Sequence, residues 1–299
     1  MISIINSLII KIITLLPKSI VQLFAGKYVA GENHKTALGV VKSLNNQGFS
    51  ATIDILGEHV KDIFEAQQVT SEYLNLFDEI SESDLDSNIS IKPTHIGLDV
   101  ADSEFISNLQ LLIEKADSHK NFLRIDMESS SVTDTTLRAY TKMLKKTKAL
   151  GTVFQAYLFR TLDDIKNIQN EHLNYRLCKG IYRESEDIAI QDRNGINKNY
   201  LKILRHTFMV NNYVGIATHD INLLKEIYSL IKELNVPIDR FEFQVLYGVP
   251  MSGWLEKHLE NGYKVRVYVP FGPNWYDYSI RRIKENPNIA GYVIKNLFR

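Results

Sequence analysis

Two arginines stand side by side at Arg281 and Arg282, and Glu285 follows three residues after Arg282. A guanidinium is a rigid fork of donors that matches a carboxylate bidentately, so an adjacent pair can clamp an anionic substrate while a nearby carboxylate orients one of the two. A solvated basic helix with an ordinary surface ion pair would read the same way locally. Other polar residues close short β-rich runs: Lys92, Asp126, Arg176 with Lys179, Thr218 with His219 and Asp220, Glu242 with Gln244, and Tyr268. Polar side chains at so many strand ends are hard to explain as core packing alone. The sequence holds no G-x-S-x-G elbow, H-E-x-x-H pair, Cys/His zinc spacing, phosphate-binding P-loop or G-x-G-x-x-G turn. Serine and zinc hydrolases, P-loop NTPases and Rossmann dehydrogenases lose ground, a cofactor bound in a barrel mouth gains it, and no metal site is expected.

Such residues need a scaffold that brings strand ends together. Eight β-rich runs (50–56, 89–92, 122–126, 152–158, 175–179, 213–218, 240–246 and 264–269) alternate with helical-period segments at 58–80, 103–116, 132–150, 197–210, 221–234 and 251–261. Asp220 is placed to cap the helix that starts at 221, and Gly262 to stop the one before it. Strict alternation favours a parallel sheet, and eight repeats in 299 residues favour an α/β fold of the closed (β/α)8 TIM-barrel type. In that fold reacting groups gather at the C-terminal ends of the strands. A helix over 275–286 then carries the arginine pair across the barrel mouth. The acidic stretch Asp78, Glu79, Glu82, Asp84 and Asp86 reads as a solvated loop rather than a metal site.

With 44% apolar residues, the chain has the make-up of one large folded domain. Basic and acidic residues number 35 each, so no net positive field recruits nucleic acid. The single cysteine, Cys178, cannot close an intrachain disulfide, which points to a reducing, cytoplasmic setting. Residues 2–16 are apolar and stop at Pro17, short of the roughly 20 residues a spanning helix needs. Ser3, Ser7, Lys11 and Thr14 recur at helical spacing opposite Ile2, Ile5, Ile9, Ile12, Ile13 and Leu16. This amphipathic helix either packs on its own domain or lies on a membrane surface. The expected division is an N-terminal helical segment, 1–33, and a barrel domain, 34–299.

The stretches ATIDILGEHV (51–60), ISIKPTHIGLD (89–99), LRIDMES (123–129), VFQAYLFRT (153–161), RLCKGIYRE (176–184), IATHD (216–220), FEFQVLYGV (241–249) and RVYVPFGPNWYDYSIRRIKENP (266–287) occur in this order. From about Tyr28 onward the chain resembles the proline dehydrogenases, in their one-domain bacterial form, since no aldehyde dehydrogenase region accompanies it. The resemblance implies FAD as cofactor and oxidation of L-proline to Δ1-pyrroline-5-carboxylate. It further implies electron transfer to a membrane quinone from the inner face of the cell membrane, and a pyrroline-5-carboxylate dehydrogenase as partner. It implies that Arg281, Arg282 and Lys92 hold the substrate carboxylate, with Glu285 and Asp126 orienting them, and that Arg176 lies by the reactive flavin nitrogen. Met127, Gln155, Lys179, Gly180, Ile181, Thr218 and His219 would contact FAD. Taken alone, Gln155 also reads as a satisfied interior amide, Met127 as core and His219 as a helix-start residue. Tyr182, Leu246, Tyr268 and Tyr278 would wall the pocket, and a tyrosine at 268 implies proline over hydroxyproline. The segment 192–197 departs from the family pattern, which leaves the adenine half of FAD without assigned contacts. The alternatives are a barrel flavoenzyme for another cyclic amino acid such as hydroxyproline, and a flavin-free binding protein.

Overall fold

The computed structural model describes residues 27–168, 173–210, 212–276, 278 and 279. Eight parallel strands close on themselves in chain order: β1 (Ser50–Ile55), β2 (Ser87–Ile91), β3 (Leu123–Ile125), β4 (Leu150–Gln155), β5 (Asn174–Cys178), β6 (Tyr213–Ala217), β7 (Phe241–Leu246) and β8 (Val265–Phe271), with β8 pairing back onto β1. The expected (β/α)8 barrel is therefore the observed fold. Each run lies where the alternation put it, although β4 starts two residues earlier and ends three earlier than expected.

Polar and apolar residues alternate along three of the strands. In β1, Thr52 and Asp54 alternate with Ala51, Ile53 and Ile55; in β7, Glu242 and Gln244 alternate with Phe241, Phe243 and Val245; in β8, Arg266 and Tyr268 alternate with Val265, Val267 and Val269. Successive side chains on a strand face opposite sides. The apolar set joins the core shared with the helices, while the polar set hydrogen-bonds across the barrel interior.

The helices α1 (His34–Asn46), α2 (Ile63–Glu82), α3 (Asp102–Ser118), α4 (Ser130–Leu144), α5 (Thr161–Asn167), α6 (Arg193–Met209), α7 (Ile221–Glu233) and α8 (Trp254–Glu260) follow the barrel pattern. In α7, Leu223, Leu224, Ile227, Leu230 and Ile231 form one buried stripe, each worth roughly 1.5–3 kcal/mol over exposure. Asp220 caps this helix through the amides of Asn222 and Leu223, as its position predicts, a bond worth about 1 kcal/mol. The acidic stretch is not a free loop: Asp78, Glu79 and Glu82 belong to α2, with Asp78 paired to Lys115 and His119 and Glu79 to His34. The segment ahead of α1 is tied to the end of β8 by Ala30 N to Pro270 O, 2.9 Å, and Gly272 N to Gly31 O, 3.0 Å. The amphipathic helix expected at 2–16 lies outside the described residues; among those described, no helix is long and apolar enough to cross a membrane.

Candidate active site

The C-terminal ends of β1, β2, β3, β5, β7 and β8 bring together one cluster of charge. Lys92, just past β2, donates to Asp54 Oδ2 of β1 at 2.7 Å. Asp126, just past β3, accepts on Oδ1 from Ser90 Oγ at 2.5 Å and Arg176 Nη1 at 2.7 Å, and on Oδ2 from the Tyr268 hydroxyl at 2.9 Å. Arg176 also donates Nε to Gln244 Oε1 at 2.5 Å, and its guanidinium carbon lies 4.9 Å from the Tyr268 ring centre. Its remaining nitrogen, Nη2, is buried and has no hydrogen-bond partner among the described residues.

Burial and charge set the protonation of this cluster. Burial works against the Lys92 ammonium, but Asp54 and Asp126 more than offset it and hold its pKa above the usual range. Burial lifts the Asp54 carboxyl above its ordinary value, with Lys92 pulling the other way. Burial, with Asp126 and Asp54 adding to it, pushes the Tyr268 phenol well above its usual value, so this hydroxyl is a neutral donor. Glu128, also lifted by burial, accepts from the backbone and the hydroxyl of Thr94 at 2.9 and 2.6 Å.

A second cluster follows β5 and β6. Asp220 Oδ2 accepts from Lys179 at 2.6 Å, Arg193 at 2.9 Å and Asn197 at 3.2 Å. Burial opposes its charge, yet these three donors hold its carboxyl well below the usual range. Asp192, the first residue of the segment that departs from the family pattern, caps α6 by accepting from Gly195 N. Gly180 adopts φ +106, and a Cβ there would run into the Tyr157 ring, so only glycine fits this turn. Gln155 donates Nε2 to Glu128 O at 3.1 Å, while its Oε1 is buried with no partner among the described residues. His219 Nε2 accepts from the Leu246 amide at 2.9 Å, which ties the β6 and β7 ends together. Thr218 Oγ1 accepts from the Asp220 amide at 3.1 Å.

The family model described as proline dehydrogenase matches residues 37–294. The chain is 38% identical over 278 residues to proline dehydrogenase 1 of Bacillus subtilis subsp. natto, covering 93% of this chain and 92% of that one. It is 30% identical over 281 residues to the proline dehydrogenase of Deinococcus radiodurans, with 92% and 90% covered. The chain belongs to the proline dehydrogenase family. It is thus an oxidoreductase acting on proline, as the resemblance implied, and its place is in proline catabolism. Among solved structures, proline utilization A (PutA) of Bdellovibrio bacteriovorus, inactivated by N-propargylglycine, superposes with a TM-score of 0.82 at 23% identity. This likeness of fold covers 89% of the present chain and 33% of that one, so the chain spans about a third of that protein's length.

Of the residues singled out in the sequence, Lys92, Asp126, Arg176 and Tyr268 meet in one cluster, and Lys179, Thr218 and Asp220 in the other. Met127 is buried beside them, Leu246 and Tyr182 are partly exposed, and Ile181 is exposed. Tyr278 lies in a helical turn that begins at Trp275. Arg281, Arg282 and Glu285 lie outside the described residues. Asp54, Ser90, Arg193 and Asn197 were given no role from sequence, although the structure binds each to a predicted site residue.

Proposed function

We propose that the chain is the FAD-dependent enzyme that oxidises L-proline to Δ1-pyrroline-5-carboxylate and passes the electrons to a membrane quinone. The observation that carries this reading is Arg176, anchored on two sides yet holding a buried, unpartnered Nη2. Leaving such a donor unsatisfied costs about 1–3 kcal/mol, and the acceptor-rich edge of a flavin ring would relieve it. The unpartnered Oε1 of Gln155 fits a donor on the same kind of ring. Lys179 and Arg193 set two cations against the one carboxylate of Asp220, and the surplus positive charge beside Gly180 suits a diphosphate. Met127, Ile181, Thr218 and His219 complete the assigned cofactor contacts. FAD bound there would accept the hydride from the ring carbon beside the proline nitrogen.

The chain's own residues bind and orient. Arg281, Arg282 and Lys92 hold the proline carboxylate, Glu285 and Asp126 align these cations, and fixing the ring this way removes orientational freedom from the barrier. Tyr182, Leu246, Tyr268 and Tyr278 close the pocket wall, with Tyr268 excluding a ring hydroxyl. Proline must shed its ammonium proton before reaction. Asp126 already accepts from Ser90, Arg176 and Tyr268, so it acts through charge and water takes the proton. The quinone implies a cytoplasmic protein working at the inner face of the cell membrane, with a pyrroline-5-carboxylate dehydrogenase consuming the product.

The test is the visible spectrum of the purified protein before and after anaerobic L-proline. Bleaching of a flavin band by L-proline, and not by D-proline or hydroxyproline, is expected. A flavin band indifferent to proline would redirect the reading to another cyclic amine, and no flavin after FAD addition would favour a binding protein.

A further inference from the structure

Below the strand ends, a polar chain runs from Arg176 into the barrel interior, and beyond Arg176 the proposed chemistry does not use it. From Arg176 Nε the hydrogen bonds pass to Gln244 Oε1 at 2.5 Å, then from Gln244 Nε2 to Glu242 Oε1 at 2.6 Å. The same carboxylate oxygen accepts from Arg266 Nε at 2.8 Å, and Arg266 Nη1 donates to the Ala51 carbonyl at 2.6 Å. Arg176, Gln244, Glu242 and Arg266 are all buried.

The direction of this chain is forced. Burial raises the Glu242 carboxyl, but Arg266, Gln244 and Arg124 together more than offset it, so it lies below its ordinary range and is ionised. A carboxylate only accepts and a guanidinium only donates. Gln244 must therefore turn its NH2 toward Glu242 and its carbonyl toward Arg176; a flipped amide would set oxygen against carboxylate and NH2 against guanidinium. Room for this amide comes from Gly215, which lies in register between Arg176 on β5 and Glu242 on β7. A Cβ at 215 would collide with Gln244 Nε2. The backbone there is ordinary, so glycine supplies space rather than conformational freedom.

We infer that Gln244, oriented by Glu242 and admitted by Gly215, is a positioning residue that locks the guanidinium plane of Arg176 for the redox step. With Nε fixed by Gln244 and Nη1 by Asp126, a planar group has no rotation left, and Nη2 stays directed away from both anchors. The inference rests on the flavin reading above, in which Nη2 serves the flavin.

The experiment compares wild type with Gln244→Met and Gly215→Ala, reading flavin content, KM for proline, the rate of anaerobic flavin reduction at saturating proline and the flavin midpoint potential. Gln244→Met removes the acceptor at similar length. Gly215→Ala displaces the amide and leaves every hydrogen-bonding group in the chain. Both are expected to retain flavin and KM, to reduce about tenfold more slowly and to have a more negative potential. In an Arg176→Lys background, Gln244→Met should add no more than about twofold, because residues acting as one unit are not additive. Unchanged rate and potential in both variants overturn the inference, as does full additivity in the Arg176→Lys background. Should Gln244→Met not fold, Gly215→Ala and its combination with Arg176→Lys decide alone. A wild type that takes up no flavin overturns the flavin reading and this inference with it, whereas a flavin-loaded wild type with indifferent variants overturns the inference only.

Discussion

Lys92 and Asp54 form an ion pair of 2.7 Å that joins the ends of β1 and β2, with the aspartate side chain 1% exposed and the lysine 15%. Removing one partner of a buried pair leaves the other charged and unsolvated, whereas removing both is far milder. Asp54→Asn should therefore lower the unfolding free energy by about 3 kcal/mol, at the low end for buried pairs because Lys92 keeps some opening to solvent. Asp54→Asn combined with Lys92→Met should recover part of that loss and, on the carboxylate-binding role proposed for Lys92, raise the KM for proline. Urea denaturation of wild type and the two variants checks this; a double variant less stable than Asp54→Asn would mean that Lys92 stabilises the fold without its partner.

Arg281→Met and Arg282→Met should each raise the KM for proline at least about tenfold, since each removes a charge-assisted bond worth roughly 1.5–3 kcal/mol. Steady-state kinetics with L-proline measures it. If neither variant changes KM, the proline carboxylate is not held by this pair.

The strand ends were legible in the sequence because a parallel barrel imposes two periods at once, strand with helix and polar with apolar. The first placed Lys92, Asp126, Arg176 and Tyr268 at one end of the barrel. The second was present in the row Thr52, Asp54 set against Ala51, Ile53, Ile55, and it is the signal that would have brought Asp54 into the site opposite Lys92. Ser90 to Asp126 and Gln244 to Arg176 pair across 36 and 68 residues. Such pairings depend on which strands are neighbours and on their register, which local sequence does not encode. Asp192, in the segment that departs from the family pattern, has a local explanation: an aspartate just ahead of a helix is first of all a cap, and its Oδ1 accepts from Gly195 N.

Deleting residues 1–16 should weaken association with anionic lipid vesicles more than it weakens proline-dependent dye reduction, if that amphipathic stretch rests on a membrane surface. Co-sedimentation with vesicles, set beside dye-coupled activity, separates the two effects. Equal retention with and without the segment would return it to packing on its own domain.

Two buried histidines should make the fold sensitive to mild acid. His95 is pushed down to about 3, chiefly by burial and further by Lys92, and His258 to about 4 by burial and Lys257. Each ring has one buried nitrogen without a partner among the described residues, Nδ1 in His95 and Nε2 in His258, so a doubly protonated ring would hold a buried N–H with nothing there to accept it. The unfolded chain takes up protons on both near the ordinary 6.5, while the folded chain does not until far lower pH. Their contribution is therefore fully present above 6.5 and is lost as pH falls, each by up to about 1.4 kcal/mol per pH unit. The buried carboxyls of Asp54 and Glu128, lifted above their ordinary range, act with the opposite sign, so a single-site comparison is needed. His258 stacks on Phe243 with ring centres 3.8 Å apart, and phenylalanine would keep that packing. In His258→Phe, the slope of unfolding free energy against pH between about 5 and 6 should be shallower by roughly 1 kcal/mol per unit than in wild type. An unchanged slope would mean that folded His258 accepts its proton near the ordinary value, with the Tyr228 hydroxyl, 2.8 Å from Nδ1, turning to accept rather than donate.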